Sequence, residues 1–121
     1  MPSQKTLDDF LATVLSEKHD ETIARFYTED ATMQENLGAI HKGRDTLVAG
    51  ERAMLARHKS VHTTCVKPVL VSDDIVVFHW IFEFTRMDGS VMRIEELADQ
   101  RWEGEKIAEE RFYYDPAQMK G

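Results

Sequence analysis

The stretch Ile75-Val-Val-Phe-His-Trp-Ile-Phe-Glu-Phe-Thr-Arg86 decides the fold class of this chain. It is rich in the β-branched and aromatic residues that favour strands, and the turn signal Asp88-Gly89 follows it. Similar runs on either side are separated by further turn residues. The pattern predicts four consecutive strands, which hairpins would join into an antiparallel sheet, at residues 61–71, 75–86, 91–102 and 106–114.

The first half of the chain has helical periodicity instead. Thr6 and Asp9 resemble a capping box at the start of a first helix. Helices must bury their apolar sides against one face of the sheet, which gives an α+β fold. The predicted elements are a helix carrying Leu7, Phe10, Leu11, Val14 and Leu15, a shorter helix capped by Asp20, a short strand at 31–36, and a helix from Arg44 to about His58.

Composition limits the class of protein. With 121 residues and 42% hydrophobic content, the chain is expected to form one domain over residues 1–121. A net charge of −7 disfavours nucleic acid and anionic membrane as partners, because both require clustered basic residues. No apolar run reaches the ~20 residues of a membrane span. Cys65 is the single cysteine and no secretory signal is seen, so a cytoplasmic location is expected.

Three local motifs give a resemblance to a known family. They are Arg25-Phe-Tyr-Thr-Glu-Asp-Ala31, the turn Ser72-Asp-Asp-Ile75, and the closing Glu105-Lys-Ile-Ala-Glu-Glu-Arg-Phe-Tyr-Tyr-Asp115. In this order they resemble the SnoaL-like and ketosteroid-isomerase-like domains of the nuclear transport factor two-like superfamily. The resemblance implies a cone-shaped, curved antiparallel sheet with three N-terminal helices on its concave face. It also implies one pocket for a small apolar molecule.

The resemblance assigns some positions a chemical role. Glu35 falls where ketosteroid isomerases place their general base. Their oxyanion positions are Leu11 and Ala98 here, so the resemblance does not imply steroid isomerisation. Phe112 falls at the acid-base aspartate of SnoaL-like cyclases and limonene epoxide hydrolases. Of these positions, Glu35 keeps a proton-transferring group. The stretch Asp74-Ile-Val-Val-Phe-His79 is also similar, over a few residues, to the strand of scytalone dehydratase that carries a histidine.

Strand alternation predicts which other side chains face the pocket. If Asp88-Gly89 is a two-residue loop, Met87 pairs with Ser90 and His79 lies opposite Ala98 on the inner face. Glu35 and His79 are then the predicted acid-base pair. The resemblance places even-numbered residues of the last two strands inward as well. The predicted ligand-binding set is Leu11, Glu96, Trp102, Glu110, Phe112 and Tyr114.

The same register places an aromatic stripe on the outer face of the sheet. Exposure of Phe78, Trp80 and Phe82 to water would be unfavourable. This register therefore predicts a homodimer in which a second chain packs against the outer face and covers these rings. In the alternative, a one-residue bulge reverses the strand. The aromatic residues are then core, and His79 and Glu83 lie on the surface.

No cofactor is implied, since the chain lacks a glycine-rich phosphate loop and any His or Glu pair at metal-ligand spacing. Two functions remain open. One is an acid-base isomerase, cyclase, dehydratase or hydrolase acting on a small apolar ligand. The other is a non-catalytic binding or dimerisation module.

Overall fold

A computed structural model describes residues 1–120 of the chain. Three helices cover the concave face of a curved, unclosed six-stranded sheet, so the fold is α+β as predicted. The elements are α1 (Gln4–Leu15), α2 (His19–Phe26), β1 (Tyr27–Glu35), β2 (Ile40–Lys42), α3 (Arg44–Ala56), β3 (His58–Ser72), β4 (Ile75–Arg86), β5 (Val91–Glu103), β6 (Lys106–Tyr113) and a 3₁₀ helix (Pro116–Lys120).

The strands lie in the order β2-β1-β6-β5-β4-β3. The four long strands β3 to β6 form the predicted antiparallel meander. The chain leaves α2 directly into β1, which runs parallel to β6 and pairs Tyr27 with Ile107 and Glu35 with Phe112. The sheet is therefore mixed, and β1 lies beside β6, the last strand in the sequence.

Some predicted caps and boundaries differ from the structure. Ser3, rather than Thr6, caps α1, because its hydroxyl accepts a hydrogen bond from the Thr6 amide at 3.1 Å. Asp20 lies in the first turn of α2, where it complements the helix dipole, and Lys18 occupies the cap position. The edge strand β2 was not predicted. None of the helices within residues 1–120 is both long and apolar enough to cross a bilayer.

The turn between β4 and β5 is one residue longer than predicted, because Arg86 pairs with Ser90 and three residues, 87–89, lie between them instead of two. The Arg86 amide donates to the Ser90 carbonyl at 2.8 Å, and Gly89 between them has a φ of +89°. Glycine adopts this left-handed conformation without strain, which accommodates the extra residue. The register therefore moves by one residue, and His79 pairs with Leu97 rather than Ala98.

This shift reverses the two faces of β4. Phe78 and Trp80 are 1% and 2% exposed, and their stacked rings lie 4.9 Å apart within the core. The predicted dimer interface centred on Phe78, Trp80 and Phe82 is therefore wrong, since one chain already covers these rings with its helices. The alternative assignment of the aromatic residues to the core is confirmed, with a longer loop in place of a bulge.

The core is densest where α1 meets the sheet. The ring of Phe10 lies 5.5 Å from that of Phe26, 5.3 Å from Phe78 and 5.7 Å from Trp102. Leu11 packs against the same cluster. This cluster fills one end of the space between helices and sheet, and the other end is left open.

Candidate functional site

A cavity of about 510 Å³ occupies the open end between the helices and the concave face of the sheet. This size is typical of small-molecule sites. Its walls are mainly apolar, and exposed residues at its rim include His41, Arg57 and Met119. The carboxyl-bearing side chains that line it are Glu35, Glu51, Glu96 and Glu110.

Glu110 is the most buried of these carboxyls, at 4% exposure. Both of its oxygens accept hydrogen bonds. The Tyr27 hydroxyl donates to Oε1, and the Gln100 amide donates to Oε2 at 2.7 Å. Gln100 is held in turn by the Trp102 indole, which donates to its Oε1 at 3.0 Å. Burial raises the pKa of Glu110 to about 7, although the two donors oppose this rise by favouring the charged form.

Glu96 on β5 and Glu51 on α3 have no such donors. Neither side chain makes a hydrogen bond or ion pair with any residue in the described range 1–120. Burial raises the pKa of Glu96 to about 8, and repulsion from the neighbouring carboxyls adds to the rise. Burial and repulsion likewise raise the pKa of Glu51 to about 7. At neutral pH the cavity therefore contains carboxyls that can give or take a proton.

Glu35 lies at the end of β1, where the chain turns away from the sheet. The Tyr114 hydroxyl donates to its Oε2 at 3.0 Å. Burial and the Glu35 carboxylate raise the pKa of Tyr114 to about 12, so its hydroxyl stays a donor over the physiological range. The Glu35 carboxylate is thus oriented by Tyr114 at the wall of the cavity, and the residue is exposed to solvent.

Two histidines on the wall are held by other groups. His19 Nε2 lies 3.2 Å from Glu17 Oε1 and 3.0 Å from Thr63 Oγ1. Burial lowers the pKa of His19, which favours its neutral form. The Nδ1 of His58 donates to the Met54 carbonyl at 2.9 Å. Both rings therefore serve mainly to fix the wall.

The structure brings five of the eight predicted site residues to the cavity wall. These are Glu35, Glu96, Glu110, Phe112 and Tyr114. The catalytic and binding roles given to them stay predictions.

Three predicted site residues do not reach the cavity. His79 was expected to point inward, and this is wrong, because its Nε2 lies 2.6 Å from Glu95 Oε2 on the outer face of the sheet. Leu11 and Trp102 pack in the core beyond the closed end of the cavity. Trp102 still influences the site through Gln100. A paired site of Glu35 and His79 is therefore excluded by the register of β4.

Sequence reasoning missed Glu51 and Tyr27. A signal for Glu51 was present, because it lies four residues after Leu47 and three before Met54, on the apolar side of α3. A carboxylate in the apolar stripe of a helix requires a partner, a wet pocket or a raised pKa. Tyr27 gave no comparable signal, since its partner Glu110 is 83 residues away.

The described residues offer no obvious metal site. Across residues 1–120, no three His, Cys, Asp or Glu side chains are grouped so that they could hold a metal ion. The groups that line the cavity are carboxyls, which can transfer protons, and aromatic and aliphatic side chains, which can pack against a ligand.

Solved structures with the same fold come from several bacteria. A Mesorhizobium loti protein assigned as a SnoaL-like polyketide cyclase has a TM-score of 0.78 at 21% identity, covering 91% of this chain and 97% of its own. A Catenulispora acidiphila protein with a ketosteroid isomerase-like fold, in complex with trimethylamine, has a TM-score of 0.79 at 17% identity, covering 97% of this chain and 90% of its own.

A third similar structure is an LEH-like epoxide hydrolase from M. tuberculosis, with a TM-score of 0.77 at 13% identity. It covers 96% of this chain and 84% of its own. At these identities the three structures share the fold with this chain, and the likeness shows the fold alone. No curated protein matches the sequence. Residues 7–110 match the SnoaL-like domain family, and the chain therefore belongs to that family.

Proposed function

We propose that this protein is an acid-base enzyme that transfers protons on a small ligand held in the cavity. One observation carries the proposal: four carboxyl-bearing side chains face a single apolar-walled cavity, and the pKa of Glu96 there is raised to about 8. A protonated Glu96 can act as a general acid at neutral pH, and an ionised Glu35 can act as a base.

The simplest reaction of this kind is enolisation of a carbonyl compound. Glu35 takes a proton from the carbon next to the carbonyl while Glu96 gives its proton to the carbonyl oxygen, and the C–H electron pair forms the enol double bond. Glu35 then gives its proton to a different carbon while the enol hydroxyl returns its proton to Glu96, so the double bond shifts, the carbonyl group re-forms and the isomerisation is complete. The same two groups serve epoxide opening, in which the acid protonates the leaving oxygen and the base activates water. Isomerase, cyclase, dehydratase and hydrolase activities all fall within this class.

The test uses two simple probes, isomerisation of cyclohex-3-en-1-one and hydrolysis of cyclohexene oxide. Turnover of either by the wild type is expected, with losses of about 10²-fold or more in Glu35→Gln and Glu96→Gln. His79→Gln is the matched control, because this residue lies on the other side of the sheet. Turnover that survives both glutamine variants would contradict the assigned roles.

A binding protein without turnover is the second candidate, and the absent oxyanion positions favour it. Leu11 and Ala98 provide no donor for a developing negative charge, and both pack in the core. The C. acidiphila protein of the same fold holds trimethylamine, which supports a small-molecule ligand for this chain too. Retained ligand binding with no turnover on either probe would select this function.

A homodimer through the outer sheet face also remains a proposal, with different residues at its centre. Four neighbouring strands place Val66, His79, Leu97 and Tyr113 in one row on that face. Leu97 and Tyr113 are 44% and 41% exposed. Leu97→Glu is expected to yield a monomer in light scattering, whereas an unchanged dimer would exclude this surface.

A further inference from the structure

None of the carboxyls that face the cavity is paired with a cationic side chain in the described part of the chain. Glu51 and Glu96 make no hydrogen bond or ion pair within residues 1–120, and Glu110 has neutral donors. Arg57 is the sole Arg or Lys of the described lining, and it is exposed and forms no ion pair with these carboxylates. Partly buried carboxylates without partners are unfavourable. A positively charged ligand would supply the missing partner.

The walls of the cavity distinguish between kinds of cation. Aromatic rings of Tyr27, Trp80, Phe82, Phe112 and Tyr114 line it. Such rings attract organic cations through their π faces and fit alkyl substituents on nitrogen. A hydrated metal ion would require converging ligands, and the described residues offer no such group. The combination of acidic and aromatic groups therefore favours an amine.

Going beyond the proposed acid-base function, in which Glu96 acts while protonated, we propose that the cavity also binds an organic monocation, an amine or quaternary ammonium with small apolar substituents. The cation is held between the ionised forms of Glu51 and Glu96 and the aromatic walls. The apolar body of the ligand packs on the aliphatic and aromatic side chains, and the nitrogen lies towards the carboxylates.

Binding of a cation is coupled to proton release. The pKa values of Glu51 and Glu110, at about 7, and of Glu96, at about 8, mean that each of these carboxyls is partly protonated at neutral pH. A fixed positive charge favours their ionised forms, so protons leave as the cation enters. The other titratable or charged groups that face the cavity are His19 of α2, Tyr27 and Glu35 of β1, His41 of β2, Arg57 after α3, His58 of β3 and Tyr114 after β6.

Choline and 3,3-dimethylbutan-1-ol test the proposal, because they have nearly the same shape and differ in the charge of the central atom. Binding is measured by NMR titration and by calorimetry at pH 7 in two buffers of different ionisation enthalpy. Choline is expected to bind about tenfold more tightly than the alcohol. Its binding enthalpy is expected to depend on the buffer, as proton release requires.

Variants of the cavity carboxyls test which residues recognise the positive charge of choline. Glu96→Gln and Glu51→Gln should each weaken choline about fivefold and leave the alcohol unchanged, and Glu103→Gln, an exposed acid at the far end of β5, should change neither. Equal affinity for the two probes, or choline binding that both cavity variants leave intact, would overturn the cationic ligand. In that case turnover of the neutral carbonyl or epoxide probe would still support the acid-base function. Conversely, tight choline binding without turnover would keep the ligand class and remove the enzyme.

Discussion

Replacement of Glu96 by glutamine should make this protein more stable at alkaline pH. The pKa of Glu96 is about 8 in the folded protein, above its ordinary value of 4.5, mainly because of burial. Between these two pH values the folded state holds a proton that the unfolded state has lost. The stability that the protonated Glu96 contributes is therefore present at low pH and is lost as the pH rises towards the folded-state pKa of about 8. Glutamine is neutral throughout and removes this loss.

The size of the effect follows from the same pKa values. Each pH unit within the window changes the free energy of unfolding by about 1.4 kcal/mol, so the two units from pH 6 to pH 8 give at most about 3 kcal/mol. Two facts reduce this value. Glu51 and Glu110 titrate in the same pH range, so part of the pH dependence belongs to them, and water that enters the open mouth of the cavity weakens the effect of burial. A difference of about 1–2 kcal/mol between pH 6 and pH 9 is therefore expected for the variant relative to the wild type.

Urea unfolding followed by far-UV circular dichroism at pH 6, 7, 8 and 9 measures this difference directly. The wild-type curve should decline towards pH 9 more steeply than the Glu96→Gln curve. Glu103→Gln removes the same charge from an exposed position and should follow the wild type. Parallel pH profiles for wild type and Glu96→Gln would refute the argument, since they would mean that Glu96 titrates alike in the folded and unfolded chain.

Three further substitutions test other parts of the structure. Tyr27→Phe removes the hydroxyl that donates to buried Glu110. It should lower the unfolding free energy by about 2 kcal/mol at pH 9 and by less at pH 6, because Glu110 is mostly protonated there. An equal loss at both pH values in urea unfolding would contradict this. Phe10→Ala should lower the unfolding free energy by about 3–5 kcal/mol, because the ring packs against three others; a loss below 1 kcal/mol would show that the core closes around the gap. Gly89→Ala should cost about 1 kcal/mol through its left-handed backbone alone, since open space surrounds the site; an unchanged melting temperature would mean that the loop rearranges.

Much of the fold could be predicted from sequence because its signals are local. The family resemblance placed Glu96 and Glu110 on the inner face, and helical periodicity identified α1 and α3. The error at His79 came from one loop, in which Asp88-Gly89 fits both a two-residue turn and the end of a three-residue turn. A single residue in such a loop reverses a whole strand.

The site was harder to predict because it is assembled from distant segments. Tyr27 and Glu110 meet only after the whole sheet has formed, and nothing near Tyr27 in the sequence marks its partner. Glu51 was visible as a charge in an apolar stripe, but the other three carboxyls of the cavity, Glu35, Glu96 and Glu110, lie on three different strands. Clustering of charges across a fold is a tertiary property, and no short motif encodes it.

The parallel pairing of β1 with β6 has a consequence for biosynthesis. Residues 27–35 lie beside residues 107–112 in the sheet, so β1 finds its neighbour only after nearly the whole chain has left the ribosome. Until then the inner edge of β1 is unpaired, and the walls that should enclose the carboxyls are incomplete. Contacts of such long sequence separation also slow folding. The nascent chain therefore passes through a stage in which an open strand edge and apolar side chains are available to chaperones. The cavity forms last, in the same step that pairs β1 with β6.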